Sequence, residues 1–324
     1  MNILIAGGAG YIGSHMNKYL SERGIDTIVY DSLVRGNLSS VKWGKFVLGD
    51  LLDIQQLNLL FDTYKIDAVI NFAGYIQVGE SVKDPKLYYT NNTQATQNLL
   101  DVMLDHDVNN IVFSSTAAVY GEPEYVPVDE THPTRPINPY GKSKLMIEGM
   151  LEDYSTAYGL NYITLRYFNA AGADPDGEIG DMHPVQSNLV PLVIDAALGR
   201  REDIKVFGTD WDTPDGTCIR DYVHVMDLAQ AHLLAIEYLQ KGGKSDVFNL
   251  GVGKGFSVKE VIDTVKKVGG KSFTIVDSEK REGDPQSLIA DSTKARQVLG
   301  WSPEYENLED IVKTAWEFAS SQSS

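Results

Sequence analysis

Asn2-Ile3-Leu4-Ile5-Ala6-Gly7-Gly8-Ala9-Gly10-Tyr11-Ile12-Gly13 is the stretch that decides the fold. Its first five residues form a short apolar run of strand type, and the helical pattern Ser14 to Arg23 follows the glycines. A glycine-rich turn between a strand and a helix lets backbone N–H groups approach a diphosphate at the helix N-terminus. Gly8, Gly10 and Gly13 spell GxGxxG, while Gly7, Gly10 and Gly13 spell GxxGxxG; glycines alone also mark plain turns. The next strand-type run, Thr27 to Tyr30, closes with Asp31, eighteen positions past Gly13. A carboxylate there accepts hydrogen bonds from a ribose and repels a 2′-phosphate, which favours NAD over NADP.

The alternation continues outward from this unit. Strands are expected at Lys45–Leu48, Asp67–Asn71, Asn110–Phe113 and Tyr162–Arg166, and helices at Ile54–Tyr64, Tyr88–His106 and Tyr140–Tyr158. This is the pattern of an α/β protein with a Rossmann-type, doubly wound parallel sheet. Ligands of such sheets bind outside the carboxyl ends of the strands, where Asp31, Asp50, Phe72-Ala73-Gly74 and Ser115-Thr116 fall. After Asn169 the rhythm breaks in a loop, Ala170 to Gly177, and the later elements are shorter: helices at Val190–Leu198, Met226–Leu239, Val258–Val268 and Leu308–Phe318, and a strand at Asp203–Phe207. The expected division is a dinucleotide-binding domain over 1–169 and a smaller mixed α/β substrate lobe over 170–324. A strand near 246–251 returns to the large sheet, so the two interlace. The serine-rich terminus is expected to fray.

Asn138-Pro139-Tyr140-Gly141-Lys142-Ser143-Lys144 places a phenol and an ammonium four positions apart, on one face of a helix. A nearby cation favours the ionised form of a tyrosine, so Tyr140 is a candidate proton acceptor; an ordinary surface pair is the alternative. The 45 acidic and 28 basic residues give a net charge of −17, which argues against sequence-independent binding of nucleic acid or an anionic membrane. No apolar run is long enough to span a bilayer, the amino terminus has no basic leader, and the single Cys218 cannot form an internal disulfide. A soluble, cytoplasmic protein is expected. The six histidines show no metal-ligand spacing and no metal is expected; His15 reads as packing in the first helix, and Ser115 lacks a nucleophile elbow.

GGAGYIGSH at Gly7–His15, VGESV at Val78–Val82, NPYGKSK at Asn138–Lys144, LRYFNAAGA at Leu165–Ala173, GTCIRDYVHVMDLA at Gly216–Ala229 and REGDP at Arg281–Pro285 together resemble the extended short-chain dehydrogenases/reductases. Within them the chain is similar, nearly end to end, to the UDP-glucose 4-epimerases. The resemblance implies bound NAD and interconversion of UDP-galactose and UDP-glucose through a transient 4-keto sugar. It implies that Thr116, Tyr140 and Lys144 are catalytic, with Thr116 and Tyr140 also touching the sugar. It implies cofactor contacts from Gly7, Gly10, Tyr11, Ile12, Gly13, Asp31, Ser32, Asp50, Leu51, Phe72, Ala73, Gly74, Asn92, Tyr140, Lys144 and Phe168. Substrate contacts are implied for Asn169, Asn188, Leu189, Phe207, Arg220, Arg281, Asp284 and Leu288, and so is a homodimer built through the long helices.

Forked guanidinium groups suit phosphate oxygens, although Arg220-Asp221 also reads as a structural ion pair and Phe207 as plain core. Two departures stand out. Phe72-Ala73-Gly74 is followed by Tyr75 and Ile76 where a well-known member of the family carries a lysine at the second position, and Leu288 is intermediate between the tyrosine and the small residue that set hexose selectivity among members, leaving UDP-N-acetylhexosamines open. A 4,6-dehydratase would need an acid pair after Thr116, where Ala117 and Ala118 stand. An NAD-sensing regulator in which Tyr140 and Lys144 only bind ribose is the alternative outside enzymes.

Overall fold

The computed structural model describes residues 1–183, 186–281 and 283–322. Glu282 of the Arg281–Pro285 motif and the terminal Ser323-Ser324 lie outside them. The first half runs β1 (Asn2–Ala6), α1 (Tyr11–Ser21), β2 (Asp26–Asp31), β3 (Lys45–Leu48), α2 (Ile54–Thr63), β4 (Ala68–Asn71), α3 (Val78–Lys83), α4 (Pro85–Tyr88), α5 (Ala95–Asp105), β5 (Asn110–Thr116), α6 (Pro139–Tyr158) and β6 (Asn161–Tyr167). The second half runs β7 (Asn169–Ala171), α7 (Leu189–Ala197), β8 (Asp203–Phe207), β9 (Ile219–His224), α8 (Val225–Gln240), β10 (Asp246–Leu250), β11 (Gly255–Ser257), α9 (Val258–Gly269), β12 (Thr274–Ser278), β13 (Ser287–Leu288), α10 (Thr293–Val298) and α11 (Leu308–Ser321).

Seven parallel strands pair in the order β10-β6-β5-β4-β1-β2-β3. Successive residues of β1 point to opposite faces, and each face has its own core. Ile3 and Ile5 pack with Met16 and Leu20 of α1 and Leu228 and Ile236 of α8. Leu4 and Ala6 pack with Leu57 of α2, Leu99 of α5 and Ile147 of α6. Burial on both sides explains why these strands read as unbroken apolar runs. The chain reverses its winding between β1 and β4, the crevice in which open α/β sheets bind ligands.

A third core joins α7, α9 and α11 with β8, through residues such as Val193, Ile204, Val265 and Ile311. Above it, β9 is flanked by β11, β13 and the short β7, while β8 pairs with β12. Strand β10 does not stay with this second group; it completes the large sheet beside β6, with Phe248 opposite Leu165. One expected element is interrupted. Instead of a continuous helix over Tyr88–His106, residues Tyr89–Gln94 form a wider π turn. Among the described residues no helix is long and apolar enough to cross a membrane.

Candidate active site

A cavity of about 430 Å³ runs along the carboxyl edge of the large sheet, past Gly7 after β1, Asp31 of β2, Phe72 after β4, Thr116 of β5 and Phe168 after β6. At one end lies the glycine turn. Helix α1 begins at Tyr11, three residues earlier than its apolar pattern indicates, with Gly10 as N-cap and no side chain capping it. The first-turn N–H groups of a helix have no partner within the helix, so this turn offers them to an anion. Gly7 has φ 77°, and a Cβ there would lie 2.6 Å from the Ala73 nitrogen; one on Gly13 would lie 2.4 Å from the Gly7 carbonyl oxygen. Both contacts are backbone, so neither neighbour can yield. Asp31 holds the turn from the side, accepting the Ala9 N–H at 2.9 Å and the Leu33 N–H at 2.8 Å. Burial pushes its carboxyl up, against the pull of those two N–H groups.

At the other end of the same wall, Asn138 caps α6 by accepting the Gly141 N–H at 2.9 Å. Gly141 lets the helix start press on the turn after β5, since a Cβ there would sit 2.5 Å from the Ala118 carbonyl oxygen. That contact sets Tyr140 beside Thr116. Lys144, one helical turn on, donates to the Ser114 carbonyl at 2.9 Å and lies 4.8 Å from the centre of the Phe113 ring. The electrostatics differ from expectation. Burial raises the Tyr140 phenol above its ordinary value despite a lowering contribution from Thr116. The same burial brings the Lys144 ammonium down to about 8, against the opposing charge of Glu148. In the protein alone, desolvation therefore controls the phenol.

Beneath Lys144 lies a buried network that spacing did not reveal. Glu148 accepts Arg166 Nη2 at 2.5 Å, Arg166 Nε at 3.1 Å and the Ser115 hydroxyl at 2.5 Å. Arg166 Nη1 reaches the Tyr120 hydroxyl at 3.0 Å, which in turn donates to Asn249 Oδ1 of β10 at 2.7 Å. Helix α6 is thus tied through β6 to the returning strand.

The outer part of the cavity is lined by Asn169, Asn188, Arg220, Asp284 and Leu288. Arg220, Asp284, Asn169 and Asn188 also line an adjoining cavity of about 260 Å³ with Leu189, Phe207 and Arg281. The Arg281 guanidinium stacks 3.5 Å from the centre of the Phe207 ring, so Phe207 is a cavity wall. Arg220 lies 3.8 Å from Asp284. Its sequence neighbour Asp221 is instead buried, accepting the N–H groups of Val252, Gly253 and Ala290, which removes the Arg220-Asp221 ion pair as an alternative.

Asn92, expected at the cofactor, is set back behind Gly74. Asn92 does not line the cavity; it is fully buried, and its amide accepts the Tyr75 N–H at 2.7 Å while donating to the Tyr75 carbonyl and the Ser143 hydroxyl. These bonds draw it behind the wall, in the middle of the π turn. Ser32, Asp50, Leu51, Ala73 and Gly74 do line the cavity, as do an arginine and a histidine outside the expected set, Arg35 and His183. Arg35 lies in a polar loop without periodicity, and His183 shows no ligand spacing, so neither carried a signal. A carboxylate cluster, Asp174, Asp176 and Glu178, lies away from this cavity and is bridged by Lys18 Nζ at 2.8, 2.7 and 2.8 Å.

The uncapped α1 start, the glycine contacts and the Asp31 carboxylate at the end of β2 fit a dinucleotide laid across the switch between β1 and β4. The chain belongs to the NAD dependent epimerase/dehydratase family, whose model matches residues 3–251. It is an NAD-dependent enzyme. More narrowly, it is 54% identical over 316 residues to the UDP-glucose 4-epimerase of Halalkalibacterium halodurans, covering 98% of this chain and 95% of that one. The UDP-glucose 4-epimerase of Brucella ovis in complex with NAD superposes with a TM-score of 0.96 at 47% identity, covering 98% of both chains. That of Bifidobacterium longum in complex with NAD+ and UDP superposes at 0.94 and 38% identity, covering 100% of this chain and 99% of the other.

Proposed function

We propose that the protein interconverts UDP-galactose and UDP-glucose by inverting C4 of the hexose, the galactose-pathway reaction. The observation that carries this reading is one cavity joining the glycine turn to Thr116, Tyr140, Lys144 and Arg220, with the cavity that bears Arg281 adjoining it. NAD, when bound, supplies the hydride acceptor that later returns the hydride, and a positive ring beside the phenol. Tyr11, Ile12 and Gly13 would offer its diphosphate their first-turn N–H groups, while Gly7 and Gly10, whose own N–H groups go to the Tyr30 and Gly7 carbonyls, shape the turn and leave room for it. Asp31, with Ser32 beside it, accepts the adenosine ribose. Asp50, Leu51 and Phe72 to Gly74 form the wall, and Phe168 closes the reacting end.

Tyr140 takes the O4 proton of the sugar and gives it back, and Thr116 holds that hydroxyl in line. Burial keeps the phenol protonated in the protein alone, so the added positive charge lowers it for proton transfer. Lys144 binds the ribose next to the nicotinamide and keeps its ammonium near the phenol. Arg220 and Arg281 grip the UDP diphosphate, with Asp284 on a ribose hydroxyl and Phe207, Leu189 and Asn188 along the base and phosphate. A 4-keto sugar held only through UDP would be free to turn and present its other face. Asn169 and Leu288 border the space in which it turns.

On this reading residues 1–169 and 246–251 form the dinucleotide half and the rest of 170–324 the sugar half, in a cytoplasmic homodimer without nucleic-acid or membrane partners. The test is to supply purified protein with UDP-galactose and no reductant. UDP-glucose should form, with bound NAD recovered unchanged; an unaltered sugar refutes the reading. The N-acetylated pair, run alongside, reports what Leu288 admits.

A further inference from the structure

A dinucleotide brings two phosphate charges into a protein of net charge −17, and the glycine turn answers them only with backbone N–H groups. Lys144 and Arg220 stand at the reacting and substrate ends of the cavity. A second arginine and a histidine also line it, Arg35 after β2 and His183 from the loop between β7 and α7. They are close enough for the Arg35 charge to act on the imidazole. We infer that Arg35 and His183 form a two-sided cationic clamp across the glycine turn, and that His183, oriented by Asp181, is a binding residue for the NAD diphosphate.

Both sides of the clamp are built. Arg35 Nη2 lies 2.7 Å from Glu80 Oε1, and its guanidinium lies 4.5 Å from the centre of the Tyr75 ring, the residue that follows Phe72-Ala73-Gly74. His183 Nδ1 lies 2.6 Å from Asp181 Oδ1, so the carboxylate fixes the ring and leaves Nε2 as the outward nitrogen, a donor when the ring is protonated. Nε2 has no hydrogen-bond partner among the described residues, and the ring lies edge-on to Tyr11, the first residue of α1, at 6.5 Å between centroids. A purely structural Asp–His pair would not need to line the cavity beside the diphosphate cradle.

The loop that carries His183 is fastened to the dinucleotide side on its own account. Lys42 donates to the Glu178 carbonyl at 2.8 Å, the Ser40 hydroxyl meets the Met182 sulfur at 3.6 Å, and Lys18 binds Asp174. The charged and titratable groups facing the imidazole are Asp181 on its own loop, Tyr11 on α1 and Arg35 after β2. Burial and Arg35 push the imidazole down, but Asp181 outweighs them and holds it above the ordinary value. The clamp is therefore closed in acid and opens as pH rises through that raised value. NAD should leave the protein faster as it does.

The measurement is the rate at which the holoenzyme releases NAD, followed by trapping free NAD with excess ethanol and alcohol dehydrogenase and reading the NADH absorbance. Between about pH 6 and about pH 9 the wild-type rate should rise about tenfold, the worth of one charge-assisted hydrogen bond. His183→Gln should release NAD at the fast rate throughout, without the step. Asp181→Asn should move the step to lower pH, because the counter-charge that holds the proton is gone. Arg35→Met should quicken release at every pH and keep the step.

Lys144 also titrates in this cavity, with a pKa of about 8, and the comparison with His183→Gln separates the two. A step that survives in His183→Gln, or a release rate in that variant equal to wild type at about pH 6, overturns the proposal. Protein purified without NAD would instead refute the cofactor assignment on which the proposal rests.

Discussion

Glu148 is the group whose replacement separates stability from catalysis most sharply. It accepts from Arg166 and Ser115, and neither member of the Glu148–Arg166 pair has a side chain more than 8% exposed, so solvent screens little of the interaction. Glu148→Leu strands the guanidinium with the Tyr120 hydroxyl as its remaining side-chain acceptor. Removing one partner of a buried pair costs about 3–5 kcal/mol, whereas replacing both with apolar residues of similar volume is often neutral or better. Urea unfolding should therefore show Glu148→Leu less stable by about 3–5 kcal/mol, and Glu148→Leu combined with Arg166→Met restored most of the way, with the m-value unchanged.

Catalysis is read in the milder Glu148→Gln. Burial lowers the Lys144 ammonium to about 8 and Glu148 works against that. Without the negative charge the ammonium deprotonates at lower pH, so the alkaline fall in turnover should shift toward acid while the NAD content of the protein stays constant. A Glu148→Leu protein within about 0.5 kcal/mol of wild type, the range of an ordinary surface substitution, refutes the stability argument. A Glu148→Gln profile superimposed on wild type refutes the link to Lys144.

Tyr140→Phe should lower turnover by about 10²–10⁴-fold, the usual worth of a positioned acid–base group, while bound NAD, measured after acid release, stays at the wild-type ratio. In Gly13→Ala the new Cβ meets the Gly7 carbonyl oxygen at 2.4 Å, so the purified protein should lose its NAD; full retention would contradict the assigned cradle. Lys18→Met leaves Asp174 buried without its counter-charge and should destabilise by about 3–5 kcal/mol in denaturant titration, whereas Asp176→Asn, at an exposed partner, should change little. Burial opposes the Lys18 charge, but its carboxylates outweigh that and raise its pKa, so this contribution is intact at neutral pH and disappears only in strong alkali.

The large sheet was legible because its strands are buried on both faces and their apolar runs have one interpretation. The apolar pattern starts helix α1 three residues late, since its first turn grows out of the glycine turn, which carries no apolar period. The break at Tyr89–Gln94 was hidden because its cause is tertiary: Asn92 bonds to Tyr75 and Ser143, which are distant in sequence. Nothing in the sequence marks β9 as a strand, because Arg220, Asp221 and His224 interrupt any alternation. Asp221 is buried there only because three backbone N–H groups from other segments converge on it. Thr116, Tyr140 and Lys144 were visible through motif spacing. Arg35 and His183 were not, since a loop cation acquires meaning only from what the fold sets opposite it.

The position of β10 beside β6 bears on how the chain is made. When β6 leaves the ribosome its outer edge has unpaired N–H and C=O groups, and roughly eighty more residues must be synthesised before the strand that covers it exists. At about 5–20 residues per second, that edge stays open for roughly 4–16 s on every nascent chain. A transcript cut short in that interval would yield a polypeptide with an open sheet edge, a template for aggregation rather than a smaller working enzyme.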